Sequence, residues 1–265
     1  MGLKDRLRPL LDVLFPPRCV YCDGLGSYLC HRCREEAQPI GSAICIRCGN
    51  PMTVRGVCHH CRVDPPEPLR GIRGVFFYKG PIGQSIRSLK YHGVRGLAPI
   101  LGAYLADYIR EHPIPIDALI PVPLHPERQA ARGFNQSELL ARAVTEILGV
   151  PTRADILRRV RATPSQAHLN RAQRRRNVAG AFAVVRRRGL RGRTLLLIDD
   201  VATTGATLRA CAQPLHEAGA KAVWALTVAR AHIPAAREPG PLGATPIEVF
   251  LLWDGERKQS AGVAC

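Results

Sequence analysis

Leu195-Leu196-Leu197-Ile198-Asp199-Asp200-Val201-Ala202-Thr203-Thr204-Gly205-Ala206-Thr207 is the most informative run in the chain. Four apolar residues after Thr194 are too few for a helix and lack polar alternation, so they read as a buried parallel strand. Two carboxylates stand where that strand ends, the edge at which open α/β sheets bind ligands. Small and hydroxylated residues follow, and the spacing predicts a helix over 207–218. Such a turn aims backbone N–H groups and the positive end of a helix dipole at one phosphate. Thr203, Thr204 and Thr207 add hydroxyl donors, and Gly205 lets the backbone come close. Asp199 and Asp200 only accept hydrogen bonds, which suits the vicinal hydroxyls of a ribose. Carboxylates beside a phosphate cradle repel bare phosphate but tolerate a sugar between them, so the combination points to a sugar phosphate.

The flanking chain repeats a strand–helix rhythm. Residues 74–79 read as a strand, 82–91 and 97–109 as amphipathic helices, and 117–124 as a strand with Pro121 and Pro123 near its exit. A helix over 137–148 and a strand over 222–228 complete the pattern, and 247–252 is expected to add an edge strand. Cys211 reads as a small buried apolar residue, and 256–265, ending in the free thiol of Cys265, as a frayed tail.

The pattern of strand, acid pair and Thr-Thr-Gly-x-Thr resembles the phosphoribosyl pyrophosphate (PRPP) loop of the type I phosphoribosyltransferases. The resemblance implies that Asp199 and Asp200 hold the ribose hydroxyls while Ala202, Thr203, Thr204, Gly205, Ala206 and Thr207 wrap the 5′-phosphate. It further implies a pyrophosphate loop after the 117–124 strand, with Arg128 and Arg132 as guanidinium ligands. Lys90 would neutralise charge beside them, and Mg²⁺ would bridge pyrophosphate and ribose oxygens. The catalytic candidates are thus Asp199, Asp200, Arg128 and Arg132, acting by electrostatic stabilisation of the leaving group. No residue marks the acceptor.

Eight of the ten cysteines form four Cys-x-x-Cys knuckles: Cys19/Cys22, Cys30/Cys33, Cys45/Cys48 and Cys58/Cys61. Each knuckle turns two thiolates toward one tetrahedral ion, so four knuckles supply two closed structural zinc sites. Consecutive pairing gives the simplest double ribbon, and a cross-braced pairing is the alternative. His31, His59 and His60 are surplus to eight sulfurs.

These knuckles, Pro-Val-Pro-Leu-His-Pro at 121–126, Arg-Gly-Phe-Asn-Gln at 132–136, Leu-Lys-Tyr-His at 89–92 and the Thr163–Arg171 and Arg175–Phe182 segments together resemble the ComF family. The resemblance implies an N-terminal zinc ribbon ahead of a type I phosphoribosyltransferase fold, a mostly parallel sheet with flanking helices. It also implies a role in competence for natural transformation, with single-stranded DNA or a DNA-translocating helicase as partner. The expected division is an N-terminal helix and double ribbon at 1–64, a Pro-rich linker at 65–70, the phosphoribosyltransferase-like domain at 71–235, and a hood strand with tail at 236–265.

The 265 residues carry a net charge of +17, from 38 basic against 21 acidic residues, which favours anionic partners. Only five of the basic residues are Lys. That skew suits bidentate phosphate binding and equally fits GC-rich coding. Residues 153–193 hold thirteen Arg and a single acid, Asp155. This run reads either as a lid that closes over the site, with Arg171 and Arg175 toward pyrophosphate, or as a salt-sensitive groove for single-stranded nucleic acid. No apolar run reaches the ~18 residues of a membrane span. Residues 1–15 alternate charged and apolar at helical spacing without a secretory core, so a cytoplasmic protein with no membrane insertion is expected.

Overall fold

A computed structural model describes residues 16–65, 67–163 and 170–231, with only the backbone at Arg171. The N-terminal helix expected over 1–15, the 247–252 strand and the 256–265 tail lie outside the described residues.

The chain opens with two short knuckle helices, α1 (His31–Glu35) and α2 (His59–Val63). There follow β1 (Leu69–Phe77), α3 (Gly80–Tyr91), α4 (Leu97–Glu111), β2 (Ala118–Pro121), α5 (Pro126–Arg132) and α6 (Gln136–Leu148). A small hairpin of β3 (Leu157–Arg159) and β4 (Phe182–Val184) encloses α7 (Arg171–Val178). Last come β5 (Thr194–Ala202), α8 (Ala206–Glu217) and β6 (Ala222–Arg230). The main sheet runs β1-β6-β5-β2, and every pairing in it is parallel.

β5 lies between β6 and β2, which pair with its two edges, and helices cover both its faces, which is why it is apolar without alternation. Side chains still alternate between two cores. Leu196 and Ile198 pack with Ile86, Leu101 and Leu140 under α3, α4 and α6, while Leu195 and Leu197 pack with Leu208, Cys211 and Leu215 of α8. Cys211 is buried as expected. β5 extends further than the apolar run. Asp199 pairs in register with Thr227, Val201 with Ala229 and Ala202 with Arg230, so the acid pair lies within the strand, two residues short of its end, rather than in a turn beyond it.

The ribbons lie on the edge of this sheet. The backbone N–H of Phe77 donates to Gln38 at 2.9 Å and that of Ile40 to Val75 at 2.8 Å, so residues 38–40 cover the outer edge of β1. Cys19, Leu29, Cys33 and Ala37 share one apolar core with Phe76, Ile82 and Leu97. The second ribbon rests on β1 at Ile72, whose N–H donates to Arg47 at 2.9 Å. Gly49 makes that approach possible: its φ is +70°, and a Cβ there would stand 2.3 Å from the Ile72 carbonyl oxygen. Among the described residues no helix is long and apolar enough to cross a membrane.

Candidate functional site

The site is assembled at the C-terminal ends of β5 and β2. Asp199 is buried, and its Oδ1 accepts from Ser137 Oγ at 2.8 Å and from the Asp200 N–H at 2.9 Å. Burial pushes its carboxyl above the ordinary value, against the opposing pull of Lys90, Ser137 and Arg159. Asp200 Oδ1 accepts from the Val201 N–H at 2.7 Å, while Oδ2 lies 2.6 Å from Lys90 Nζ. Lys90 comes from the last turn of α3, where a cation also complements the helix dipole. Desolvation draws its pKa down to about 8, with Asp199 raising it and Arg132 lowering it.

Ser137 was not legible as a site residue. It stands at the start of α6, where Asn135 caps the helix by accepting from the Ser137 N–H at 3.0 Å. The Asn135 amide also donates to the Val122 carbonyl at 3.0 Å. One asparagine therefore ties the exit of β2 to the helix whose first turn holds Asp199.

The 203–207 loop turns directly from β5 into α8. Gly205 is the N-terminal cap of α8 at φ +77°, and a Cβ on it would stand 2.6 Å from Ile72 Cδ1. Both the left-handed backbone and the packing require glycine. Thr204 Oγ1 accepts from the Ala206 N–H at 3.4 Å. No acid occupies the first turn of α8, leaving that end electropositive.

The basic candidates divide. Arg132 on α5 bonds Gln136 and lies 5.7 Å from the ring of the exposed Tyr91, beside Lys90. Arg128, on the same helix, is directed at the Thr163 carbonyl, 3.1 Å away. Of the two arginines expected to face pyrophosphate from the basic run, Arg175 is instead paired with Asp64, at 2.5 Å. Its neighbour Arg174 donates to Thr203 Oγ1 at 2.9 Å. Arg159, buried on β3, stacks 5.5 Å from Phe182 and bonds the Thr163 hydroxyl. Neither Arg174 nor Arg159 stood out among thirteen arginines, because folding rather than composition selects which of them turn inward.

The cysteines gather as Cys19, Cys22, Cys30, Cys33 and as Cys45, Cys48, Cys58, Cys61, with the ligand atoms of each set within 4.8 Å of one another. Consecutive knuckles pair, and the cross-braced alternative falls away. The two ribbons repeat one design: the Cys30 N–H donates to Cys19 Sγ at 3.5 Å and the Cys58 N–H to Cys45 Sγ at 3.4 Å. Against its burial, backbone N–H groups of Cys22 and Cys30 draw the Cys19 thiol down to about 6. A hydrogen bond from Cys61 draws the Cys48 thiol down to about 4 despite burial, with Arg230 adding to the effect. Four convergent sulfurs with such donors fit tetrahedral zinc closed to substrate, a structural site.

A four-stranded parallel sheet with an acid pair and a glycine-capped loop at one edge, preceded by two four-cysteine clusters, defines a phosphoribosyltransferase-type domain carrying a double zinc ribbon. Residues 10–62 match the double zinc ribbon domain family, and residues 135–239 the phosphoribosyl transferase domain family. The competence protein ComFC of Bacillus subtilis is 31% identical over 200 residues, 72% of this chain and 79% of that protein. Competence protein F of Haemophilus influenzae is 30% identical over 225 residues, 81% of this chain and 97% of that protein. The DNA utilization protein YhgH of Escherichia coli K12 is 32% identical over 224 residues, 80% of this chain and 96% of that protein. The chain belongs to the ComF family of competence proteins.

Proposed function

We propose that this protein binds PRPP at the β5–α8 turn and acts in competence-linked DNA uptake and use. The observation that carries the binding half is the placement of Asp199 and Asp200 near the C-terminal end of β5, two residues ahead of the glycine-capped 203–207 loop. Two carboxylates accept from the ribose hydroxyls, and the N–H groups opening α8 donate to the 5′-phosphate. Lys90 pairs with Asp200 and lies close enough to Arg132 to feel its charge, which gives a pyrophosphate the cations it needs. The oxygens of Asp199 and Asp200 are hard donors of the kind Mg²⁺ takes, so the residues fit that ion. When bound with the diphosphate, Mg²⁺ supplies neutralisation of its charge.

The DNA half rests on the competence relatives and on the charge of +17. Arg186, Arg187 and Arg188 are exposed together after the β3–β4 hairpin. They give a sequence-indifferent, salt-sensitive hold on single-stranded DNA, alone or beside a competence helicase.

A second reading is favoured by the Lys90–Arg132 pair. An acceptor nucleophile attacks the anomeric carbon, the carbon–oxygen bond to pyrophosphate breaks, and pyrophosphate leaves with the electron pair. Lys90 and Arg132 then stabilise the leaving group rather than move a proton, making the protein an active phosphoribosyltransferase.

Calorimetric titration of the zinc-loaded protein with PRPP and Mg²⁺ tests the first reading. Saturable binding that Asp199→Asn plus Asp200→Asn removes is the expected result, and an absence of heat overturns it. Pyrophosphate release in the presence of candidate acceptors distinguishes catalysis from binding alone. For the DNA half, oligonucleotide affinity that falls with salt is expected, and an affinity with no salt slope overturns the groove.

A further inference from the structure

The second ribbon touches the machinery around the 203–207 loop along two routes. On the first, Asp64 follows α2 directly, just after the ligand Cys61. Its Oδ1 lies 2.5 Å from Arg175 Nη1 on α7 and 2.9 Å from Arg209 Nη1 on α8. One carboxylate oxygen thus joins the arginine-rich helix to the helix that Gly205 caps. The residue before Arg175 is Arg174, which reaches Thr203 Oγ1. On the second route, Gly49 presses on the Ile72 carbonyl, and Ile72 Cδ1 closes the space where a Gly205 side chain would stand.

We infer that Asp64 is a positioning residue, through which the second zinc ribbon holds α7 and α8 together and keeps the 203–207 loop shaped for its phosphate. The inference rests on the PRPP reading given above. Arg175 and Arg209 converge on one oxygen, so without the acid two like charges face each other between helices that pack together. Relaxing α7 withdraws the Arg174 guanidinium from Thr203, and the loop loses both a positive charge and a fixed hydroxyl. A ligand must then order what the free protein had already ordered, and binds less tightly. The ribbon contributes no atom to the site. It acts by holding a helix terminus from which Asp64 projects, so its metal and the ligand are linked through protein alone.

The test uses the full-length, zinc-loaded protein and the variants Asp64→Asn and Arg175→Gln. Asp64→Asn is expected to keep the wild-type zinc content while speeding amide exchange over 171–178 and 203–209. It should also raise the Kd for PRPP with Mg²⁺ by about fivefold. Arg175→Gln leaves the ribbon untouched and should reproduce the faster exchange in 171–178. Asp23→Asn breaks the exposed Arg18–Asp23 pair of the first ribbon and should change neither readout. Unchanged exchange in both test variants, or binding as tight as wild type in Asp64→Asn, overturns the role of Asp64. If the wild type itself does not bind PRPP, the site reading falls, and the exchange comparison, which needs no ligand, judges Asp64 alone.

Discussion

Lys90, half-buried in the last turn of α3, forms an ion pair of 2.6 Å with the buried Asp200 near the end of β5. The amine is drawn down to about 8 by desolvation, while Asp199 raises it and Arg132 lowers it. A bound pyrophosphate adds negative charge and raises the amine's pKa again. Its contribution to affinity is therefore complete below pH 8 and lost as pH climbs beyond, by up to about tenfold per unit. Kd for PRPP measured from pH 7 to 9.5 should show that decline. Lys90→Met should bind more weakly with a flat profile, and a wild-type profile as flat as that variant's would remove Lys90 from the ligand.

Asp199 makes the opposite kind of prediction. Its carboxyl is raised by burial, so between the unfolded value near 3.8 and the higher folded one the native state binds the proton more tightly than the unfolded chain does. Stability is greatest below that window and falls as pH rises through the folded value. Asp199→Asn keeps an acceptor for Ser137 and for the Asp200 N–H and removes the buried charge. Its Tm at pH 7 should equal or exceed the wild type's while PRPP binding is lost. A Tm clearly below wild type would show that the charge itself holds the site together.

Gly205→Ala combines a left-handed φ with a 2.6 Å approach to Ile72 Cδ1. We expect a loss of about 2–4 kcal/mol in chemical unfolding. Measured against Ile72→Ala alone, whose own cavity lowers stability, Gly205→Ala should still cost the φ part but not the steric part, because the φ penalty is intrinsic to the backbone. If Gly205→Ala costs nothing in the Ile72→Ala background, the whole effect belongs to packing.

Metal content should be two zinc ions per chain, one for each four-cysteine set. The first set shares its core with Ile82 and Leu97, whereas Cys45, Cys48 and Cys61 of the second pack in a small cluster of their own with Met52 and Val57. Cys30→Ser should therefore lower the global melting temperature by more than Cys58→Ser does, with a difference of about 5 °C or greater. Circular dichroism melts of the two variants decide this, and equal losses would count against the shared core.

The sequence by itself determined the parts whose chemistry is local. A buried strand, two acids, hydroxyls and a glycine stand consecutively from Leu195 to Thr207, so their order alone states what the turn can bind. The knuckles were equally legible, because a Cys-x-x-Cys turn brings its two sulfurs together wherever it lies. Most sheet strands and the longer helices followed from apolar spacing, while α5 and α7, short and mostly polar, and the three-residue strands β3 and β4 carried no such signal.

Only the tertiary structure decided the contacts that cross the chain. Ser137 reaches Asp199 and Asp64 reaches Arg209 over separations of 62 and 145 residues, and no periodicity encodes either meeting. The Arg-rich run shows the limit most plainly. Thirteen nearly interchangeable charges stand in the sequence, and packing turns Arg174 to Thr203, Arg175 to Asp64 and Arg159 into the interior. Residue type sets what a side chain can bond, but burial and the neighbour it meets on folding set which bond it makes.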